Sequence, residues 1–464
     1  PHGRPFSPPA GDGMMDSGAP GRAGGAAMAA PQPDGAAIHR LAARLYPICR
    51  SLAGDGVRET LAIIGEYLPL HIHEVPTGTP LYDWKAPQEW IIREACIADL
   101  AGRRIVDFAR HNLHVVNFSM PVRARMSLDA LKNHIHTLPD QPDLIPYRTC
   151  YHGESWGFCM AHNALLAMED GEFDVVIDAE RRDGSLVFGE FIHRGQTDAT
   201  FLLSAHLCHP SLANDNCSGL ALLALLGEAM KSRRTRLTYR LLFGPATFGA
   251  LAWLRQNEDN LDHVRHGLVL SCLGDGGGPN YKRSRRGNAE IDRIMDHVLA
   301  HCGLSGAAMH DFWPYGYDER QFCSPGFNLP VGMFQRSLYG RFPEYHTSAD
   351  NLDFIKPEYL EQSFNMVMQA IEIAERNWVP LNMSPKGEPQ LGRRGLYGSM
   401  GGDSRAAQNA MAMLWVLNLA DGGYSILDMA ERSKLPFAML ADAADRLRDA
   451  GLIKETASQD LFAK

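Results

Sequence analysis

The chain has 464 residues, which is more than one hydrophobic core usually serves, and its 45% hydrophobic and 21% charged residues are typical of globular proteins with two or three domains. Its formal charge of -9 argues against a protein whose main task is to bind nucleic acid, because phosphate contacts require a basic surface. Nine cysteines without disulfide-like spacing indicate reduced thiols and a cytoplasmic location, and the longest plainly apolar run, residues 220–226, is far too short to cross a bilayer.

The N-terminal segment, residues 1–35, is rich in Gly, Ala and Pro and has no hydrophobic period. We expect it to be disordered or vector-derived, with Met14, Met15 or Met28 as candidate natural starts. Apolar residues from Ile38 to Leu68 then recur at three- and four-residue steps, which predicts two helices.

Residues 81–145 differ in character from the sequence on either side. The segments 104–108 and 113–118 alternate apolar and polar residues, which is typical of β-strands. We therefore predict an inserted β-rich domain at 81–145, which interrupts a main domain formed by residues 36–80 and 146–385.

The main domain alternates strand-like and helix-like sequence. Strands are predicted at residues 174–177, 186–192, 201–204, 237–243 and 268–272, and helices at 220–226 and 356–377. This order predicts an α/β fold, in which helices flank a mixed β-sheet.

A linker is predicted at 386–403, followed by three helical patterns in residues 404–464 that resemble a winged helix. In a DNA-binding winged helix the third helix enters the major groove and is basic. Here the third helical pattern contains Asp442, Asp445 and Asp449. We therefore expect a packing or interaction role and no nucleic-acid partner.

Metal-capable side chains begin where the strand at 201–204 should end. His206, Cys208 and His209 follow the strand, and Asp215 comes just before the next helix. Ligands of open α/β sheets bind at this carboxyl edge, and a carboxylate near a helix start is electrostatically favoured. The pattern predicts a ligand site at this strand end.

Three motifs carry a specific resemblance to a known family. They are Asp215-Asn216-Cys217-Ser218-Gly219, Gly316-Tyr317-Asp318-Glu319-Arg320, and Glu344-Tyr345-His346-Thr347-Ser348-Ala349-Asp350-Asn351. Together they resemble the zinc aminopeptidase clan, and within it a bacterial subfamily with an inserted domain and a C-terminal winged helix. The resemblance covers residues 38–460.

The resemblance implies a zinc site with His206, Asp215 and His346 as ligands, since a hydrolytic zinc site needs about three protein ligands and an open position. Asp275 is a second-rank ligand. His209 lies three residues from His206 and either binds the metal or orients the substrate.

Position 246 departs from the clan. In members of the clan, the equivalent strand end carries two acids, of which the first is a general base and the second a metal ligand. The bacterial subfamily keeps the first of these acids, in a Pro-Glu-Thr triplet. This chain has Ala246 and Thr247 instead, and neither accepts a proton. Ala246 marks either a naturally inactive binding protein or a Glu-to-Ala replacement.

Residues expected on the substrate side are polar or aromatic and follow position 311: Asp318, Glu319, Arg320, Tyr339 and Glu344. Arg320 could grip a carboxylate in bidentate fashion, or Asp318 and Glu319 could hold an amine. A loop held by local salt bridges is the alternative.

The resemblance implies a zinc-dependent peptidase or amidohydrolase that acts on a small peptide-like or amino-acylated metabolite. The alternative is a catalytically dead zinc-binding module for ligand recognition or regulation. No membrane partner is expected, and a homo-oligomer is left open.

Overall fold

The computed structural model describes residues 33–396 and 404–456. The helices are α1 (Gly35–Leu45), α2 (Asp55–Gly65), α3 (Leu128–Lys132), α4 (His162–Leu166), α5 (Gly219–Met230), α6 (Phe248–Asn257), α7 (Glu290–His301), α8 (Glu319–Phe322), α9 (Pro357–Arg376), α10 (Ser404–Leu419), α11 (Ile426–Ser433) and α12 (Phe437–Asp449). The strands are β1 (His71–Pro76), β2 (Pro80–Leu81), β3 (Trp84–Lys85), β4 (Glu89–Asp99), β5 (Arg104–Asp107), β6 (Val122–Ser127), β7 (Ile135–His136), β8 (Phe158–Cys159), β9 (Glu172–Arg182), β10 (Ser185–His193), β11 (Thr200–His206), β12 (Thr238–Gly244), β13 (Val264–Leu270), β14 (Asn280–Lys282), β15 (Ala308–His310), β16 (Val331–Gln335), β17 (Pro380–Asn382) and β18 (Ile453–Glu455).

The main sheet confirms the predicted α/β fold. Within the described ranges it has eight strands in the order β1-β10-β12-β11-β13-β16-β14-β15. The central strands β12, β11, β13 and β16 are parallel, whereas β1, β10 and β14 introduce antiparallel pairs. The carboxyl ends of the parallel strands therefore meet at one edge.

Helices cover both faces of this sheet because its central strands are apolar on both sides. Every residue of β11 is buried. On one face, α5 is buried on all sides except at Glu228, as expected for a helix that is apolar all round. On the other face, α6 and α8 pack against Leu202 and Met333.

A second, smaller sheet has the strand order β5-β4-β9-β6 and its own apolar core. Its third strand, β9, pairs with β4 and β6, although the sequence placed residues 174–177 in the main sheet. The small sheet therefore extends to Arg182, beyond the predicted boundary at 145. Strand periodicity alone does not say which sheet a strand joins.

The segment 113–118 is not the predicted strand. It begins with a 3-10 turn, Asn112–His114, in which the His111 side chain accepts a hydrogen bond from the Leu113 backbone. Apolar residues at both odd and even positions of this segment are buried, including Val115 and Val116. A half-buried strand would instead expose every second residue to solvent.

The C-terminal helices α10, α11 and α12, with the β17–β18 pair, form the winged helix. They share one hydrophobic cluster with the main domain, and Leu391 and Leu396 of the predicted linker are buried in that cluster. The remainder of that linker, 397–403, lies outside the described residues, as do residues 1–32 of the predicted disordered segment and 457–464 of the predicted winged-helix domain. Among the described helices, none has the length and apolar character needed to cross a membrane.

Candidate metal centre

Strand β11 carries His206 to the carboxyl edge of the sheet, where the side chain is fully buried. Because β11 is parallel to β12 and β13, the residues that follow those strands, including Ala246 and Ser271, reach the same edge. His206 and position 246, which the sequence assigned to one site, therefore lie at the same edge of the sheet.

Asp215 is presented by an irregular helical turn, Ala213–Ser218, that leads into α5. The Asp350 carboxylate holds this turn, since it accepts hydrogen bonds from the backbone N–H groups of Asn214 (2.6 Å) and Asp215 (3.0 Å). The turn's backbone is thus satisfied by Asp350, and the Asp215 side chain is left free to face the histidines.

Three imidazoles surround the Asp215 carboxylate. His206 Nε2 lies 2.9 Å from Asp215 Oδ1, and His346 Nε2 lies 3.0 Å from Oδ2. His209 Nε2 is 4.0 Å from Oδ2. The structure therefore brings His346 next to Asp215, although 131 positions separate these two residues in the sequence.

Two tyrosines complete the surroundings of the carboxylate. The Tyr317 hydroxyl donates to Asp215 Oδ2 at 2.9 Å and lies 2.8 Å from the Tyr345 hydroxyl. The Tyr345 ring stacks on His346, with 3.9 Å between centroids. These hydroxyl groups are donors placed beside the proposed metal ligands.

The electrostatics of the cluster suit a divalent metal. Burial holds the pKa of His209 well below its usual range, against the attraction of Asp215, so the ring is neutral. Burial opposes ionisation of Asp215, yet His209, His206 and His346 together hold the pKa of this carboxyl well below its usual range. Imidazole nitrogens and an ionised carboxylate are the donor set that zinc prefers, so these residues fit the metal.

Asp275 does not join the cluster. Its Oδ2 accepts a hydrogen bond from Asn214 at 2.8 Å, and its Oδ1 accepts from the Ser337 hydroxyl at 2.6 Å and from the Gly277 backbone at 2.7 Å. Both oxygens are therefore engaged in holding loops together, which corrects the expectation that Asp275 completes the metal shell.

Position 246 lies beside the cluster without an acid. The Ala246 carbonyl is 3.9 Å from the Cys208 sulfur, and Cys208 directly precedes His209. Thr247 accepts a hydrogen bond from Gln321 at 3.1 Å. The loop therefore occupies the expected place, and its side chains supply no proton acceptor of the carboxylate type.

Glu319 is not on the substrate side. It is fully buried in an ion pair with Lys282, whose Nζ lies 2.8 Å from its Oε1 and also donates to the Tyr315 carbonyl. A buried charge left without its partner is strongly unfavourable, so this pair stays closed and corrects the substrate-binding prediction for Glu319.

Other predicted substrate residues retain free polar atoms. Asp318 Oδ2 accepts from Ser204 at 3.0 Å, whereas its Oδ1 and Arg320 Nε have no hydrogen-bond partner among the described residues. Burial raises the pKa of Asp318 to about 6.

The last two predicted substrate residues are Tyr339 and Glu344. The Tyr339 hydroxyl donates a hydrogen bond to the Tyr315 carbonyl at 2.7 Å. Glu344 is half-buried, two residues before His346.

Sequence reasoning missed three residues of this site: Tyr147, Tyr345 and Asp350. The Tyr147 ring lies 5.2 Å from the His209 ring and 5.0 Å from the His346 ring. Tyr345 and Asp350 stand within the motif around His346, which was the available signal. Tyr147 carried none, because it comes from a distant loop.

Family comparisons divide the chain in two. Residues 39–377 match the model described as "Domain of unknown function (DUF4910)". Residues 378–455 match the model described as "winged helix-turn-helix". The second match begins just before β17, so that strand is counted with the winged helix.

A sequence and a crystal structure from Clostridium acetobutylicum are similar to this chain over nearly its whole length. The sequence, of a protein provisionally named a polysaccharide biosynthesis protein with an aminopeptidase-like domain, is 46% identical over 420 residues, which cover 90% of this chain and 96% of the relative. A crystal structure of a protein provisionally called a peptidase superposes with a TM-score of 0.87 and 44% identity, and it covers 91% of this chain and 96% of that one.

More distant solved structures share the fold. The zinc aminopeptidase BSAP of Bacillus subtilis has a TM-score of 0.53 at 14% identity and covers 73% of this chain and 94% of its own. The Peptidase M28 precursor of Shewanella amazonensis gives the same TM-score and identity, with 73% and 93% covered. The main domain therefore has an aminopeptidase-like fold.

Proposed function

The chain belongs to the DUF4910 family, and we propose that it is a zinc-dependent hydrolase of the aminopeptidase type that acts on an amide bond of a small peptide-like or amino-acylated metabolite. The convergence of three imidazoles on the Asp215 carboxylate carries the proposal. When bound, zinc would polarise the scissile carbonyl and acidify a water molecule.

The surroundings of the cluster support a polar, amide-bearing substrate. The Tyr317 hydroxyl donates to Asp215 and lies beside the Tyr345 hydroxyl, so the two oxygens keep lone pairs that can accept a hydrogen bond from a substrate N–H. The Clostridium relative is named for polysaccharide biosynthesis, so amino-acylated and N-acylated sugars belong among the substrates to test.

The proposed cellular location rests on the state of the cysteine thiols. All nine cysteines are free. Free thiols throughout a chain of this size are typical of a reducing compartment, which supports the proposed cytoplasmic location.

A second candidate function is that of a binding module, and Ala246 is the observation that favours it. A positioned general base typically contributes ~10²- to 10⁴-fold in rate. Without that carboxylate the chain should bind its ligand and turn it over very slowly. Zinc and substrate binding would then be the function of the site.

The experiment is to install the base and compare matched variants at equal zinc content. Ala246→Glu should raise amide hydrolysis by about 10²- to 10⁴-fold with little change in ligand affinity, because the carboxylate acts mainly in the transition state. Ala246→Gln is the control, since its side chain has nearly the same shape and cannot take the proton. The readout is release of free amine from aminoacyl, dipeptide and amino-sugar amides.

The outcome separates the two functions. An Ala246→Glu variant that binds zinc and a substrate-like ligand, yet hydrolyses no member of the panel, would exclude the hydrolase and leave the binding module. Equal rates for the Glu and Gln variants would show that position 246 is not the base position.

A further inference from the structure

The sequence left two roles open for His209, which either binds the metal or orients the substrate. No acid directly follows β13, whose next residues are Ser271 and Cys272. Asp275, a candidate from the sequence, is engaged by Asn214 and Ser337. The metal centre therefore lacks an acid ligand from this strand.

We infer that His209 is the third protein ligand of the metal held by His206 and Asp215. Ligand atoms of these three residues lie within 4.8 Å of one another, and among the described residues they form the one such group of His, Cys, Asp or Glu. His346 lies outside this group, although its Nε2 is 3.0 Å from Asp215 Oδ2, the oxygen that His209 also faces. The inference rests on the proposed zinc centre.

The backbone of His209 is held by a buried arginine. Arg50, only 1% exposed, donates from Nε to the His209 carbonyl at 2.9 Å. Its remaining nitrogens donate to the Leu45 carbonyl at 2.5 Å and to the Cys217 sulfur at 3.1 Å. A buried guanidinium joined to three elements fixes the position of the His209 main chain beside Asp215.

The ring of His209 is also oriented. Its Nδ1 lies 3.5 Å from the Cys208 sulfur, which can accept the Nδ1–H while its own S–H points to the Ala246 carbonyl. Nδ1 therefore has a partner, and Nε2 is the nitrogen that points to Asp215. A partner on the other ring nitrogen is how metal-binding histidines are usually held.

A ligand set of two histidines and one carboxylate has a functional consequence. Catalytic zinc sites have three protein ligands and keep an open position, whereas structural sites fill four. His206, His209 and Asp215 thus define a single site of the open type. His346 then contributes less to metal affinity than His209 does.

The experiment measures zinc affinity by competition with a chromophoric chelator, using full-length protein. His209→Asn should weaken zinc binding by at least about 100-fold, whereas His209→Asp, of nearly the same shape, should recover much of that loss because its carboxylate can bind the metal. His346→Ala should cost less than about 10-fold. His152→Ala, at an exposed position, is the control.

Cobalt substitution gives a second readout that does not depend on activity. Loss of an imidazole ligand in His209→Asn should change the visible absorption of the Co²⁺ protein, and circular dichroism checks that each variant is folded. His209→Asn with wild-type zinc affinity and an unchanged cobalt spectrum overturns the inference alone. Wild-type protein that binds neither metal overturns the proposed function as well.

Discussion

Two groups of clustered histidines serve different ends in this protein. His206, His209 and His346 converge on Asp215 at the edge of the main sheet. His297 and His301 of α7 stack on each other, with 4.1 Å between ring centroids, where the winged helix meets the main domain. There His297 Nε2 accepts a hydrogen bond from the Phe437 backbone at 2.9 Å.

The comparison shows that burial alone does not make a metal site. Burial lowers the pKa of His209 and likewise that of His297. What differs is the shared partner: the first group surrounds an ionised carboxylate, whereas neither ring of the second is ion-paired within the described ranges. A neutral imidazole beside a backbone N–H is an interface contact, and beside a carboxylate it is a candidate ligand.

The largest expected effect tests the carboxylate itself. Asp215→Asn keeps the shape of the side chain and removes its charge, so we expect zinc content to fall from about one ion per chain to nearly none. Asp275→Asn is the matched control and should keep about one ion, because both of its oxygens are engaged elsewhere. Elemental analysis measures both, and equal metal loss in the two variants would contradict this assignment.

The next effect concerns pH at the domain interface. Burial, followed by the charge of His301, lowers the pKa of His297 from 6.5 to about 4. At a pH between these two pKa values, His297 is protonated in the unfolded chain and neutral in the folded one. The contribution of His297 to the free energy of unfolding is therefore complete above pH 6.5 and is lost as the pH falls toward 4. After allowance for solvent screening, the loss is roughly 1 kcal/mol.

Urea denaturation at pH 7 and pH 5 measures this loss. His297→Gln can still accept the Phe437 hydrogen bond but does not titrate, so it should lose less stability on acidification than the wild type. If the free energy of unfolding depends on pH in the same way in both proteins, titration of His297 does not affect the stability of this interface.

A smaller effect is expected from the ion pairs beside that interface. Arg376 of α9 lies 2.7 Å from both Asp442 and Asp445 of α12, and all three side chains are partly exposed. Pairs of this kind contribute about 0.2–1 kcal/mol. Arg376→Ala should therefore lower the free energy of unfolding by less than about 1 kcal/mol, and a larger loss would mean that the pairs clamp the winged helix.

No effect is expected in a DNA-binding test. Helix α12, which would enter the major groove, is held against the main domain by His297 and Arg376. Its acidic residues also oppose phosphate contacts. A gel shift with submicromolar, sequence-dependent affinity at physiological salt would contradict this expectation.

Sequence reasoning was reliable where the signal was local. The apolar run of β11 and the polar residues after it placed His206 at a strand end, and the motif around His346 pointed to the same centre. Two of the three acids noted in α12, Asp442 and Asp445, pair with Arg376 in the structure. Periodicity and short motifs are properties of neighbouring residues, so the chain displays them directly.

The sequence by itself thus determined the α/β class, the winged helix and the strand end that carries the site. Tertiary structure alone decided that Glu319 pairs with Lys282, that β9 joins the small sheet, and that His209 rather than Asp275 faces Asp215. The first two outcomes depend on a partner far away in the chain, and the third on the distant residues Asn214 and Ser337 that engage Asp275. Charge and hydrogen-bonding capacity can be read from a residue, but the group that satisfies them is set by how the layers pack.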